Sequence, residues 1–327
     1  MRILLWDVHG GYTDALLGGS HEYLFCRDDD PDQLSEFGDL VGKGLRRLGA
    51  DRPMTAREVA VTQLRDDPPD VVLAQRLEEV AALGQLLRRR GGREVPAIFL
   101  EHNTPKGAVP DTRHPLANSD GWQLVHVTHF NRLFWDTGST PVRVIEHGLP
   151  DPGHRYSGDL SRGAFVVNEP VRRWRTTGTD LLTDFDVPID AFGIDGDRLP
   201  EALGAAGEHV SFAGNLSSAE LEEALSRRRF YLHLNRWTSL GLSLINAMLL
   251  GLPVVALGTT EAFRAVPPGA GVCSTDVAEL VAGAQRFAAD LEVAQRCGAV
   301  AREHALARFD HGRFLQEWSC CVEQVAG

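Results

Sequence analysis

Residues 230–257, FYLHLNRWTSLGLSLINAMLLGLPVVAL, decide the fold. Phe230–Leu234 is a short apolar run of strand length. A polar turn follows, and Leu242 to Leu250 is apolar at helical length. Gly251-Leu252-Pro253 stops that helix, and Pro253 to Ala256 is a second apolar run. Strand, turn, helix, strand, with strands apolar on both faces, predicts a buried parallel sheet joined by crossover helices. The turn Thr238-Ser239-Leu240-Gly241 opens the helix. The first-turn amides near Leu242 and Ser243, together with the helix dipole, favour an anion such as a diphosphate there, and Arg236 adds positive charge. The same spacing suits a plain crossover with Ser/Thr capping, so spacing alone leaves both readings open.

The pattern extends in both directions. Upstream, Arg2–Val8, Tyr23–Cys26, Asp70–Ala74, Ala97–Leu100, Leu124–Val127 and Val142–Ile145 read as short strands. Leu77 to Arg90 reads as a helix, with Glu78 and Glu79 early, Arg88 to Arg90 late, and Gly91 as its stop. Leu149 to Gly158, rich in Pro and Gly, reads as a linker. Beyond it, Ala164–Val167, Ile189–Phe192 and Val210–Phe212 are strand candidates, Thr179–Leu182 and Ser218–Leu225 helix candidates, and the tail from Asp276 is helical in pattern. This predicts two doubly wound α/β domains facing a cleft: 1–150, 151–305, and a final helix over 306–327. On such sheets ligands bind beyond the carboxyl ends of the strands.

Composition excludes several chemistries. Among 327 residues, 45 are acidic and 33 basic, for a formal charge of −12, which argues against a broad nucleic-acid surface. The two lysines, Lys43 and Lys106, lie in no GxxxxGK[ST] loop, which excludes a P-loop nucleotidase, and neither sits where a PLP Schiff base is persuasive. The five cysteines show no CxxC spacing, so reduced thiols and a cytoplasmic chain are expected. With no 18-residue apolar run, no membrane span is expected; peripheral attachment at a membrane surface is compatible with the sequence. His126 and His129 fall on opposite faces of a strand end, so a metal pair is not expected, and Asp28-Asp29-Asp30 reads as a solvated loop.

The segment around Leu240 resembles the nucleotide-sugar site of retaining GT-B glycosyltransferases of family 4, the glycogen synthase and mannosyltransferase type. Their motif runs Glu-Gly-Phe-Gly-Leu, three residues, Glu-Ala-Met, then Gly-x-Pro-Val-Val. Leu240-Gly241-Leu242, Ala247-Met248 and Gly251-Leu252-Pro253-Val254-Val255 match it. Thr238 and Asn246 replace both glutamates of the Glu-x7-Glu pair. Val166-Val167-Asn168, Arg172 and Thr177-Gly178-Thr179-Asp180-Leu181-Leu182 resemble the diphosphate segment. Arg172 falls on its arginine and Thr177 on its lysine; Arg173, Arg175 and Arg236 are candidate substitutes. Ala213-Gly214 resembles the base-lining turn, Gly10-Gly11 the glycine loop, and His102 the histidine that touches the transferred sugar.

The resemblance implies sugar transfer, with retention, from a nucleoside-diphosphate sugar to a hydroxyl of a glycan, lipid or small molecule. No cofactor and no metal are implied for the chemistry. His102, Arg172 and Asn246 are the expected catalytic residues. Gly10, Gly11, Asn168, Thr177, Ala213, Gly214, Arg236, Thr238, Ser239, Leu240, Gly241, Leu242 and Ser243 are the expected donor contacts. The lost glutamates and lysine support a second reading, a degenerate protein that binds nucleotide or glycan without turnover. A third, an inverting or epimerase-type enzyme, requires a carboxylate base, for which Asp7, Asp14 and Glu261 are the candidates.

Overall fold

The computed structural model describes residues 1–27, 55–86 and 95–327. The chain divides into two compact units, Met1–Gly148 with His311–Gly327, and Leu149–Asp310. The Asp28–Asp30 loop, Lys43, the Arg88–Arg90 cluster and the Gly91 stop lie outside the described residues.

The first unit holds a seven-stranded sheet: β1 (Arg2–Leu5), β2 (Glu22–Arg27), β3 (Ala56–Ala60), β4 (Val71–Ala74), β5 (Ala97–Glu101), β6 (Trp122–His126) and β7 (Val142–Val144). All pairings are parallel, in the order β3-β2-β1-β4-β5-β6-β7. The second unit holds β8 (Leu160–Val166), β9 (Ile189–Phe192), β10 (Val210–Gly214), β11 (Arg228–His233), β12 (Val254–Leu257) and β13 (Gly271–Ser274). They too are parallel, ordered β10-β9-β8-β11-β12-β13. In each sheet the direction of winding reverses beside the first strand, between β1 and β4 and between β8 and β11. Such a reversal opens a crevice at the carboxyl ends of the two strands.

Apolar strands account for this burial: every residue of β4, β5, β9 and β12 is buried. The helix Leu242–Leu250 packs six buried residues, Leu244, Ile245 and Ala247 to Leu250, into the core of the second unit. Each such large apolar side chain contributes about 1.5–3 kcal/mol. Gly251 ends the helix in the left-handed region, at φ 99°, and its N–H returns to the carbonyls of Ala247 and Met248. At Gly298 a Cβ would stand 2.0 Å from the Gly251 carbonyl, so the helix Leu291–Arg308 lies backbone-close to this turn.

Some elements differ from the sequence reading. Gly10 and Gly11, expected as a loop, form the first turn of a helix, Gly10–Leu16, because the His9 carbonyl accepts from both Tyr12 and Thr13. β3 carries charged Arg57 and Glu58 between buried Ala56 and Val59, as an edge strand does, and β13, Gly-Val-Cys-Ser, is half-buried and lacks an apolar run. Thr179–Asp184 is a 3-10 helix. The helical tail is three helices: Val277–Ala289, Leu291–Arg308 and His311–Ala326. Asp276 and Asp290 cap the first two by accepting from Ala278 and Val293 amides. The last belongs to the first unit: Trp318 Nε1 donates to Tyr12 OH at 2.9 Å, and Arg313 to the His147 carbonyl at 2.9 Å. No helix among the described residues is long and apolar enough to cross a membrane.

Candidate functional site

In the second unit, the β8–β11 reversal brings together Asn168 to Gly178, after β8, and Leu234 to Gly241, after β11. The Arg236 amide donates to the Thr176 carbonyl at 2.9 Å, which ties the two turns. Asp180 binds two of the four candidate arginines of these turns: Arg236 Nη2 at 2.9 Å and Arg175 Nη1 at 3.1 Å. Arg172 is exposed and holds Glu169, its Nε donating at 2.6 Å. The Arg172 guanidinium keeps the Glu169 carboxyl below the usual range. Arg173 differs. Its side chain is half-buried and makes no hydrogen bond or ion pair among the described residues; burial, then neighbouring Arg172, lowers its proton affinity, with Glu169 opposing. A partly desolvated guanidinium in that state gains most from an incoming anion.

The other expected donor contacts divide into three groups. Thr177 is turned inward, its hydroxyl donating to the Arg173 carbonyl at 3.1 Å and bonding Thr179 Oγ1 at 2.9 Å, so it does not offer its hydroxyl as an outward donor. Asn168 Oδ1 accepts from the Ile194 amide, which aligns the ends of β8 and β9. Ser243 Oγ accepts from Tyr231 OH at 2.9 Å, and Leu240 is buried. These are structural tasks. Ala213 sits at a register shift closing β10, and Gly214 follows with φ 118°, its carbonyl accepting from Gly193. Gly241 caps the helix Leu242–Leu250 with extended backbone and no side-chain cap; its carbonyl accepts from the Leu244 amide, which leaves the Leu242 and Ser243 amides for another acceptor. The third group is polar and unsatisfied: Thr238 Oγ1 is buried without a hydrogen-bond partner, and Asn246, one turn into the helix, makes no side-chain bond among the described residues.

In the first unit, the β1–β4 reversal gathers His9, after β1, Gln75, after β4, and His102, after β5. The His102 and His9 ring centroids stand 4.1 Å apart, and Tyr12 meets His102 edge-on at 4.9 Å. Burial first, then His9 and His147, pushes the His102 imidazole well below its ordinary range, so it is neutral at pH 7. Gln75, which the sequence reading missed, is buried and bonds His102 Nε2 at 2.9 Å. Its only sequence signal is its place immediately beyond an apolar strand. Asp7 Oδ1, after β1, is buried without a hydrogen-bond partner among the described residues. Glu261 is buried against Arg264, at 2.7 Å, in the second unit, a structural pairing. His126 is buried within β6 and His129 is exposed at the start of the helix His129–Phe134.

Residues 184–290, about a third of the chain, match the family model described as glycosyl transferases group 1. No curated protein matches the sequence. Solved structures match in fold. Sucrose-phosphate synthase from Thermosynechococcus elongatus superposes with a TM-score of 0.75 at 15% identity, over 99% of each chain. Anabaena Alr3699/HepE, solved with UDP and glucose, gives 0.70 at 14% identity, over 99% of this chain and 100% of that one. TarM from S. aureus, solved as a mutant with Fondaparinux, alpha-GlcNAc-glycerol and UDP, gives 0.61 at 12%; there the match spans 80% of this chain and 58% of that one. The two parallel sheets are those of GT-B glycosyltransferase structures.

Proposed function

We propose that the chain transfers a sugar from a nucleoside-diphosphate sugar to a hydroxyl acceptor, with retention of configuration and without a metal. The observation that carries this reading is Arg173, a half-buried cation lacking a partner among the described residues, on a turn tied to the one leading into helix Leu242–Leu250. A diphosphate supplies the anion that this arrangement lacks. As the bond to the sugar breaks, Arg173 and the first-turn amides near Leu242 and Ser243 stabilise the growing phosphate charge, each well-placed donor contributing about 3–4 kcal/mol. The leaving phosphate oxygen takes the acceptor's proton as that hydroxyl attacks from the same face. Thr238 and Asn246 hydrogen-bond sugar and ribose hydroxyls, and the His102 imidazole, at the place of the resembled family's sugar-touching histidine, meets a sugar hydroxyl. The family match over 184–290 and the UDP complexes of HepE and TarM support this reading.

Calorimetry with UDP tests it. Arg173→Ala is expected to weaken binding by about 1.5–3 kcal/mol, the loss of one charge-assisted bond, and Arg172→Ala by well under ~1 kcal/mol because that side chain is exposed and already paired. Equal effects, or none, remove Arg173 from the site. A second reading, binding without turnover, is favoured by the neutral Thr238 and Asn246 at positions where the resembled motif carries carboxylates. UDP-glucose that binds, but is neither transferred nor hydrolysed, selects it.

A further inference from the structure

The carbonyl of Trp6 accepts from the Val8 amide at 3.1 Å and from Gln75 Nε2 at 2.8 Å. A carbonyl oxygen can only accept, so the nitrogen of the Gln75 amide must face Trp6 and its oxygen must face away. That oxygen lies 2.9 Å from His102 Nε2. An amide oxygen also only accepts, so Nε2 must carry the ring proton and Nδ1 must be the acceptor nitrogen of the neutral ring. The order is dictated from the backbone outward: the Trp6 carbonyl fixes the amide, and the amide fixes the imidazole. Turning the amide over would place oxygen against oxygen at Trp6 and NH2 against Nε2, which loses the Trp6 bond inside a buried region.

We propose that Gln75 is a positioning residue that fixes His102 as its Nε2–H tautomer. The ring is held sideways by His9 at 4.1 Å and by the edge of Tyr12 at 4.9 Å, so the amide selects the proton's site on an already confined ring. Tyr12 is anchored in turn by Trp318 Nε1 at 2.9 Å. For a ligand hydroxyl, the selected tautomer makes the ring an acceptor at Nδ1. That consequence rests on the contact between His102 and a sugar hydroxyl proposed above; the tautomer itself does not.

Long-range proton–nitrogen NMR on the full chain, labelled with nitrogen-15, reads the tautomer directly, with the His102 signals identified by their loss in His102→Gln. The expected wild-type pattern is a protonated Nε2 and an unprotonated Nδ1. Gln75→Leu, which keeps bulk but removes the acceptor, is expected to abolish that single pattern and to lower UDP-glucose turnover by roughly tenfold. An Nδ1–H wild type overturns the proposal, as does a Gln75→Leu chain with the wild-type pattern; the wild-type spectrum decides even where the variant does not fold. A Gln75→Leu chain with an altered tautomer and full turnover supports the tautomer assignment and overturns the sugar contact of His102.

Discussion

Stability is expected to fall steeply as pH drops from about 6.5 towards 4, with one buried histidine in each unit driving the loss. In the first unit His126 is fully buried and neither ring nitrogen has a partner among the described residues. Burial, with His114 and Arg132 adding, lowers its pKa to about 3. In the second unit burial lowers His233 to about 4. Unfolded histidine titrates near 6.5, so below that pH the unfolded chain binds protons that the folded chain refuses. Stability therefore falls with falling pH, starting at the unfolded value and continuing to each folded value. At pH 5 each residue removes about 2 kcal/mol relative to neutral pH. The Asp151–Arg302 pair extends the loss to lower pH: hydrogen bonding to Arg302 lowers the Asp151 pKa, so its contribution is lost as pH falls through the ordinary value of 3.8 towards the lowered one. Urea unfolding at pH 7.5 and pH 5 measures the loss. His126→Leu should flatten the pH dependence of the transition reporting the first unit, and should raise its stability at pH 7.5 by about 1–3 kcal/mol, since it removes buried polar atoms without partners. An unchanged slope would mean that the ring is hydrated in the folded state.

The sequence made the second unit legible more fully than the first, for physical reasons. β9 and the helix Leu242–Leu250 were read to the residue, because short strands apolar on both faces and a helix stopped by Gly251 leave little alternative. β3 was not read, because this edge strand carries adjacent Arg57 and Glu58 and lacks the buried-strand signal. Gly10 and Gly11 looked like a loop because glycine is a poor helix former; tertiary placement of the His9 carbonyl overrides that preference. At the site, residue types marked the right turns but not which arginine is available. Four arginines, Arg172, Arg173, Arg175 and Arg236, look alike in one dimension. Only the fold assigns Glu169 to the first and Asp180 to the last two. Gln75 carried no signal beyond its place after an apolar strand, since its role depends on a carbonyl 69 residues away in the chain.

Gly178→Ala is expected to be among the most damaging single-methyl changes in the second unit. Gly178 has φ 72°, where alanine is strained by about 1 kcal/mol. Its Cβ would also stand 2.0 Å from the Leu234 carbonyl oxygen and 2.7 Å from Leu234 Cβ. Leu234 follows directly on β11 in the sheet, so the backbone there cannot yield without breaking the strand's pairing with β8 and β12. The turn carrying Gly178 must move instead, and it is tied to the β11 turn by the Arg236 and Trp237 amides on the Thr176 carbonyl. Overpacking of this kind costs about 1–3 kcal/mol beyond the strain, for a total of about 2–4 kcal/mol. Urea midpoints for the wild type and Gly178→Ala give the cost directly. If Arg173 meets the diphosphate, displacing its turn should also weaken UDP at least as much as Arg173→Ala does. A Gly178→Ala loss no larger than about 1 kcal/mol, the strain alone, would show that the turn can move away from Leu234 cheaply, and that the two turns of the site are not held at a fixed separation.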